Sequence, residues 1–357
     1  MARMWKNLLL LAGALVLVAL LLEGGSRILR LYQPPESAAP IAIVPAQEDA
    51  TPPPAPVYGP NEGNLDSIHA PDQWVWWRVK PNLENYHVHI AWNAAHDFTL
   101  STDANGFRAT GEVQAAPVRR VLVVGDSTAF GVGVDDADTW PAQLEAILNA
   151  QHGVGVEVVN AGVPGFSTFQ ALRMAEKWAA NPRPDVVVVC AGFNDSANIP
   201  KGELPDLQRA ARNERDYAQG QQSAFLSLLS QAVAAAQQSG EGAERPRLLA
   251  EELQETLSTA EQHYREQGIP LIWIHWPTQA EAVHGAPLGG AGYPAVLLAH
   301  CEGEGLRCVD LMPRFKAMGA EAFYDFVHAT AAGNRAAAEE IAAALADVIP
   351  REPPDVH

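Results

Sequence analysis

Ser127 stands in "RRVLVVGDSTAFGVG", residues 119–133, where four apolar residues, Val121 to Val124, run into Gly-Asp-Ser. A serine in that place either attacks, as a nucleophile lifted to a strand end, or caps the helix that follows. The fragment alone admits both readings. Acyl transfer by a serine needs a base for its proton, a carboxylate to orient that base, and donors to hold the developing oxyanion. Two candidate donors lie at later strand ends. Gly165 in "VVNAGVPGFST" can bring a bare backbone N–H close to a substrate, because it has no Cβ. Asn194 in "VVVVCAGFNDS" offers a side-chain NH2 suited to an oxyanion. Gly and Asn are common at βα turns, so each alone says little. Ser, Gly and Asn at three successive strand ends say much more.

The base has to come from eleven histidines. A carboxylate three residues before a histidine, on one short loop, can meet its Nδ1, and the chain reads D-x-x-H twice. "DSIH", Asp66 to His69, precedes the sheet and reads as a turn aspartate beside a surface histidine. "DFVH", Asp325 to His328, falls just before the last helix, on a loop that can return to the strand ends near Ser127. Asp325 and His328 are therefore assigned as orienter and base. In "HVHIAWNAAH", His87 and His89 share a face of a possible strand, with His96 beyond. No carboxylate or cysteine spacing completes a known metal pattern there, so it reads as a surface hairpin without metal. His275 reads as strand-end packing, and Trp74, Trp76 and Trp77 as packing onto the main domain in preference to a sugar-stacking platform.

The elements that must position these residues are α/β. Strands are expected at Val121–Val124, Val156–Val159, Val186–Cys190, Leu271–His275 and Cys308–Leu311, with amphipathic helices between them. Continuous Val-rich runs alternating with helices imply an α/β fold with a five-stranded, mostly parallel sheet covered on both faces. Ligands of such sheets sit beyond the carboxyl ends of the strands. Residues 61–117, rich in aromatics and turns, read as small β-hairpins packed on the domain at 118–350. Residues 196–246 form an insertion after the third strand, on the active face, where it can shape substrate access.

Upstream, nine prolines in residues 34–60 make a semi-rigid spacer within a linker at 26–60. Residues 1–6 carry Arg3 and Lys6 and are expected in the cytoplasm, and residues 7–25 form a signal anchor or a cleaved signal peptide. The unbroken apolar run Leu8–Leu22 spans roughly 22 Å as helix, short of a ~30 Å hydrocarbon core. Either outcome places the remainder outside the cytoplasm, on the periplasmic side of an inner membrane or secreted. The formal net charge of −18 argues against a nucleic-acid partner. Of the cysteines, Cys190 reads as a buried apolar residue, and Cys301 and Cys308 as either a short disulfide or two thiols.

"GDST" at 125–128, "NAGVPG" at 160–165, "GFND" at 192–195 and "DFVH" at 325–328 together resemble, in order, the four blocks of the SGNH, or GDSL-type, hydrolases. The amino-terminal segment, the spacer and "NGFR" at 105–108 resemble a membrane-anchored bacterial subgroup. "HAT" follows the histidine where that family commonly has proline, a change in loop stiffness. The resemblance implies a three-layer α/β/α fold and an acyl-enzyme mechanism with Ser127 as nucleophile, His328 as base and Asp325 as its partner. It also implies an oxyanion hole of Ser127 N–H, Gly165 N–H and the Asn194 side chain. No cofactor or metal is required. The expected substrate is a small ester or acylated glycan, with the membrane contacted through the amino-terminal helix. An O-acyltransferase would use the same residues on a sugar hydroxyl acceptor, and a silent envelope scaffold would not need them intact.

Overall fold

Five Val- and Ile-rich runs become the strands of one parallel sheet in the computed structural model, which describes residues 58–111, 119–152, 155–178, 182–199, 204–222, 245–285 and 292–349. The strands are β6 (Arg119–Gly125), β7 (Val156–Gly162), β8 (Val186–Cys190), β9 (Leu271–His275) and β10 (Cys308–Asp310). Their order is β10-β9-β8-β6-β7, and every neighbouring pair is parallel. The chain starts at β6, steps outward to β7, then returns across β6 to β8. That reversal makes the carboxyl end of β6 the topological switch point, where open sheets of this kind form a crevice. Ser127 follows it directly.

The continuous apolar runs have a physical reason, because each strand is buried on both sides. Val121, Val123, Val186, Val188, Ile272 and Ile274 face one core, shared with α2 (Trp140–His152) and α9 (Ala331–Leu345) through Trp140, Leu144, Ala337 and Ile341. Leu122, Val124, Val187, Val189 and Trp273 face the other, shared with α3 (Thr168–Trp178) and α5 (Ala250–Gln267) through Leu172, Ala175, Leu253 and Leu257. Gly125 is where the β6 backbone passes closest to β8. A Cβ there would overlap the Cys190 carbonyl, so the strand end admits only glycine.

The remaining helices are α1 (Ser127–Phe130), α4 (Asp206–Gln222), α6 (Gln279–His284), α7 (Gly292–Glu304) and α8 (Met312–Met318). Helix α4 lies in the polar part of the insertion, where apolar residues are few. Cys301 in α7 is joined to Cys308 at the start of β10 by a disulfide, and Cys190 is a buried free thiol.

Ahead of the sheet come five short strands: β1 (Glu62–Asn64), β2 (His69–Asp72), β3 (Trp76–Val79), β4 (Tyr86–His89) and β5 (Phe98–Leu100). β2–β3 and β4–β5 pair antiparallel, whereas β1 lies parallel to β4. Leu65, Ile68, Trp76, Trp77, Val88 and Leu100 belong to the same core as Leu122 and Val124. Trp76 and Trp77 are buried in it. The proposed anchor at 7–25, the spacer up to residue 57 and the Ala/Leu-rich stretch of the insertion lie outside the described residues. Among the described residues no helix is long and apolar enough to cross a membrane.

Candidate active site

The capping role considered for Ser127 belongs to its neighbour. Asp126 is the N-cap of α1: its Oδ1 accepts from the Thr128 N–H at 2.8 Å and from Thr128 Oγ1 at 2.7 Å. Ser127 is the first helical residue, and its hydroxyl is directed elsewhere. Its Oγ lies 2.8 Å from His328 Nε2. On the other side of the ring, His328 Nδ1 lies 2.7 Å from Asp325 Oδ2.

The loop itself explains why D-x-x-H works at 325–328. Asp325 Oδ1 accepts the backbone N–H groups of Val327 (2.9 Å) and His328 (2.7 Å), closing a tight turn that aims Oδ2 at Nδ1. Burial alone would raise the Asp325 pKa, but hydrogen bonding and charge pairing with His328, and then those two backbone donors, outweigh it and hold the carboxyl below its ordinary value. Tyr324 stacks on His328, with centroids 5.7 Å apart and planes at 16°, and its hydroxyl donates to Val132 O.

The other D-x-x-H is built differently. Leu65–Ile68 is a 3-10 turn capped by Asn64, and His69 leaves it in extended conformation to pair with Val79. Both ring nitrogens of His69 are buried without a hydrogen-bond partner, and burial, with the nearby Lys80 charge, pushes its pKa down to about 4. His275 pairs instead with Asp310, Nδ1 to Oδ1 at 2.6 Å.

The two further donor candidates flank the same crevice. Register places Gly125 opposite both Gly162 and Cys190, so the three strand ends are neighbours. Gly165 has φ +82°, a left-handed conformation that a side chain would resist. Its carbonyl accepts from Arg247 Nη1 at 2.6 Å, and the Pro164 carbonyl accepts from Trp77 Nε1 at 3.0 Å. Asn194 sits in a 3-10 turn, Phe193–Ser196, and donates one N–H to Phe166 O at 3.0 Å. An amide carries a second N–H, which is the one available to an oxyanion.

The sequence assigns no role in this site to five supporting residues. Trp92 Nε1 donates to Asp325 Oδ2 at 3.2 Å from the loop between β4 and β5, and His96 of the same loop stacks on Tyr324 at 4.1 Å. Arg108, from "NGFR", holds the carbonyls of Phe130, Gly131 and Val134 behind α1. Arg247 pairs with Asp206 at 2.9 Å and steadies the Gly165 turn. For none of these does local spacing carry a signal, because each acts on residues far away in sequence.

Asp195 is the fifth. Fully buried beside Asn194, it accepts from the Thr168 N–H and from Thr168 Oγ1, both at 2.7 Å. Burial pushes its pKa up to about 7 despite these bonds. Because the folded value lies above the ordinary carboxylate value, the native chain holds a proton that the unfolded chain releases. The stability it contributes is complete below about pH 4 and is lost as pH rises through the folded value. Asp195→Asn keeps a neutral group with both Thr168 contacts. Urea unfolding at acid and neutral pH is expected to show wild type losing stability relative to Asp195→Asn as pH rises; an identical pH dependence in the two proteins would contradict this.

Residues 123–336 match the GDSL-like Lipase/Acylhydrolase family. Esterase TesA of Pseudomonas aeruginosa is 35% identical over 118 residues, 32% of this chain and 57% of that protein. Among solved structures, the acetyl xylan esterase AlAXEase aligns at 17% identity with TM-score 0.44, over 64% of this chain and 100% of its own. The lipase/acylhydrolase from Enterococcus faecalis aligns at 17% identity with TM-score 0.43, over 64% of this chain and 95% of its own. With more than half of its length matched, from inside β6 to inside α9, the chain belongs to the GDSL-like lipase/acylhydrolase family, the SGNH hydrolases.

Proposed function

We propose that this chain is a serine esterase acting outside the cytoplasm and tethered by its amino-terminal segment. The observation that carries the reading is the hydrogen-bonded line from Ser127 Oγ to His328 Nε2 and from His328 Nδ1 to Asp325 Oδ2. Ser127 Oγ attacks the ester carbonyl while His328 Nε2 takes the hydroxyl proton. The oxyanion is received by the N–H groups of Ser127 and Gly165 and by the Asn194 amide. Collapse breaks the ester C–O bond, His328 returns the proton to the departing alcohol, and the acyl group stays on Ser127. Water, deprotonated by His328, then releases the acid and restores Ser127. Asp325, ionised and doubly held by backbone N–H groups, keeps Nδ1 protonated and stabilises the imidazolium in both halves. A short acyl group, such as acetyl on a carbohydrate, is the substrate class that suits an envelope location and this family.

The test is labelling of the full-length protein with a fluorophosphonate, beside turnover of p-nitrophenyl acetate. Wild type is expected to label and turn over, and Ser127→Ala to lose both, with kcat falling by roughly 10⁴ or more. Labelling that survives the substitution sinks the nucleophile assignment. A wild type that neither labels nor turns over sinks the esterase reading in favour of a scaffold. Membrane pelleting together with the intact mass at the amino terminus tests the tether.

A further inference from the structure

His87 and His89 project from one face of β4, and the sequence around them offers no ligand pattern. The strand order changes that, because β4 lies between β1 and β5. The parallel register with β1 sets Glu62 opposite His87. The antiparallel register with β5 pairs His87 with Thr99 and Val88 with Phe98, so the next pair is His89 and Asp97. Two imidazoles and two carboxylates from β1, β4 and the residue before β5 therefore converge. His89 Nδ1 is 2.9 Å from Asp97 Oδ2, and His87 Nε2 is 3.8 Å from the same oxygen. One ligand atom from each of His87, His89 and Asp97 lies within 4.8 Å of the others. Metal–ligand bonds of about 2.1 Å at tetrahedral angles put ligand atoms about 3.4 Å apart, and the pairs at 2.9 and 3.8 Å lie on either side of that spacing.

We propose that His87, His89 and Asp97 form a binding site for a divalent transition-metal ion, with Glu62 orienting His89.

The surroundings of the three residues fit that assignment. His89 Nε2 faces Glu62 Oε2 at 3.2 Å, the carboxylate–histidine arrangement that fixes a tautomer and presents Nδ1 to a metal. Asp97 Oδ1 is held by the Ile90 N–H at 2.7 Å, which leaves Oδ2 to ligate. Tyr58 stacks on His89, centroids 5.2 Å apart and planes at 12°, and limits its rotation. The side chains of His87 and His89 are 41% and 34% exposed, so an ion has a path in and water can complete its shell. Two imidazoles with a carboxylate suit Zn²⁺, Fe²⁺ or Co²⁺, whereas Ca²⁺ and Mg²⁺ prefer oxygen alone. A bound ion would tie β4 to the start of β5 and close the base of the loop that carries Trp92 to Asp325 and His96 to Tyr324.

The experiment reads binding directly, so its outcome does not depend on ester turnover. Tag-free full-length protein, stripped with chelator, is titrated with Zn²⁺ by calorimetry at about pH 8, where a proton on His89 competes least. Co²⁺ is followed by its visible bands. Thiols do not compete strongly, because Cys190 is buried and Cys301 is bonded to Cys308. The expected result is one ion per chain with micromolar or tighter affinity and the bands of four- or five-coordinate Co²⁺. His87→Gln is expected to weaken binding about a hundredfold and Glu62→Gln about tenfold. His87→Gln is the main variant, since the residue is half-exposed and its loss leaves the fold intact, as circular dichroism verifies. Saturating Zn²⁺ is also expected to raise the melting temperature of wild type by about 5 °C and that of His87→Gln by much less. Absence of stoichiometric binding, or equal affinity in wild type and His87→Gln, overturns the site.

Discussion

His328→Ala is expected to lower kcat/KM for p-nitrophenyl acetate by roughly 10³–10⁴, while His69→Ala leaves kcat within about twofold. The two histidines share the D-x-x-H spacing, so the contrast isolates what the backbone does with it. At Asp325 the carboxylate folds back onto two N–H groups of its own loop, which leaves its second oxygen on His328 Nδ1 and the opposite ring nitrogen on Ser127. At Asp66 the same three-residue step lies in a 3-10 turn and then enters a strand, so the ring leaves its aspartate and is buried alone. A histidine held near pKa 4 is also a poor base at neutral pH. Initial rates on folded protein, normalised by circular dichroism, decide the matter. Loss of activity in His69→Ala with retention in His328→Ala would reverse the assignment.

Arg108→Met carries the second large effect, this time on stability. The guanidinium is wholly buried and forms four contacts: Nε to Asp136 at 2.8 Å, Nη1 to Phe130 O and Gly131 O at 3.0 and 2.6 Å, and Nη2 to Val134 O at 2.6 Å. It also lies over the rings of Phe98 and Phe130, at 5.1 and 4.8 Å. Methionine fills the space of the stem but leaves the Gly131 and Val134 carbonyls without their guanidinium donor, and removes one donor from Phe130 O, which keeps Asn160 Nδ2 at 3.3 Å, and from Asp136, which keeps the Ser101 N–H at 2.8 Å. The expected cost is about 3–5 kcal/mol, with a fall in melting temperature of about 10 °C. Arg108→Lys keeps the charge but not the fork, and is expected to fall between the two. Urea unfolding measures both, and a cost below about 1 kcal/mol for Arg108→Met would mean that water replaces the guanidinium at no loss. Because the guanidinium caps the carboxyl end of the helix that begins at Ser127, the residue ties the "NGFR" turn to the position of the serine hydroxyl.

Much of the fold was legible before any coordinates. The five sheet strands were marked by short apolar runs bounded by turn residues, and the observed strands begin or end within a few residues of them. Helix α4 was not legible, because its sequence "DLQRAARNERDYAQGQQ" is polar almost throughout. The triad residues were legible in part. Ser127, Asp325 and His328 meet in space as the motifs imply, yet the capping role considered for Ser127 belongs to Asp126. Position along the chain separates "DSIH" from "DFVH", and the cause lies in the turn that each aspartate makes.

What the sequence determined by itself is local: which runs become buried strands, which residues stand at their ends, and which aspartate lies three residues before which histidine. These features are carried by contiguous residues, through apolar periodicity and turn chemistry, and need no knowledge of strand order. What only the tertiary structure decided is which distant residues stand behind them. Trp92 reaches Asp325 across 233 positions, and Trp77 reaches Pro164 across 87. Glu62 meets His89 only because β1 runs parallel to β4, and Asp97 meets it through the antiparallel register of β5. A one-residue slip of either strand would turn these side chains to opposite faces. Such contacts are fixed by sheet order, register and the shared core, which no short stretch of residues encodes.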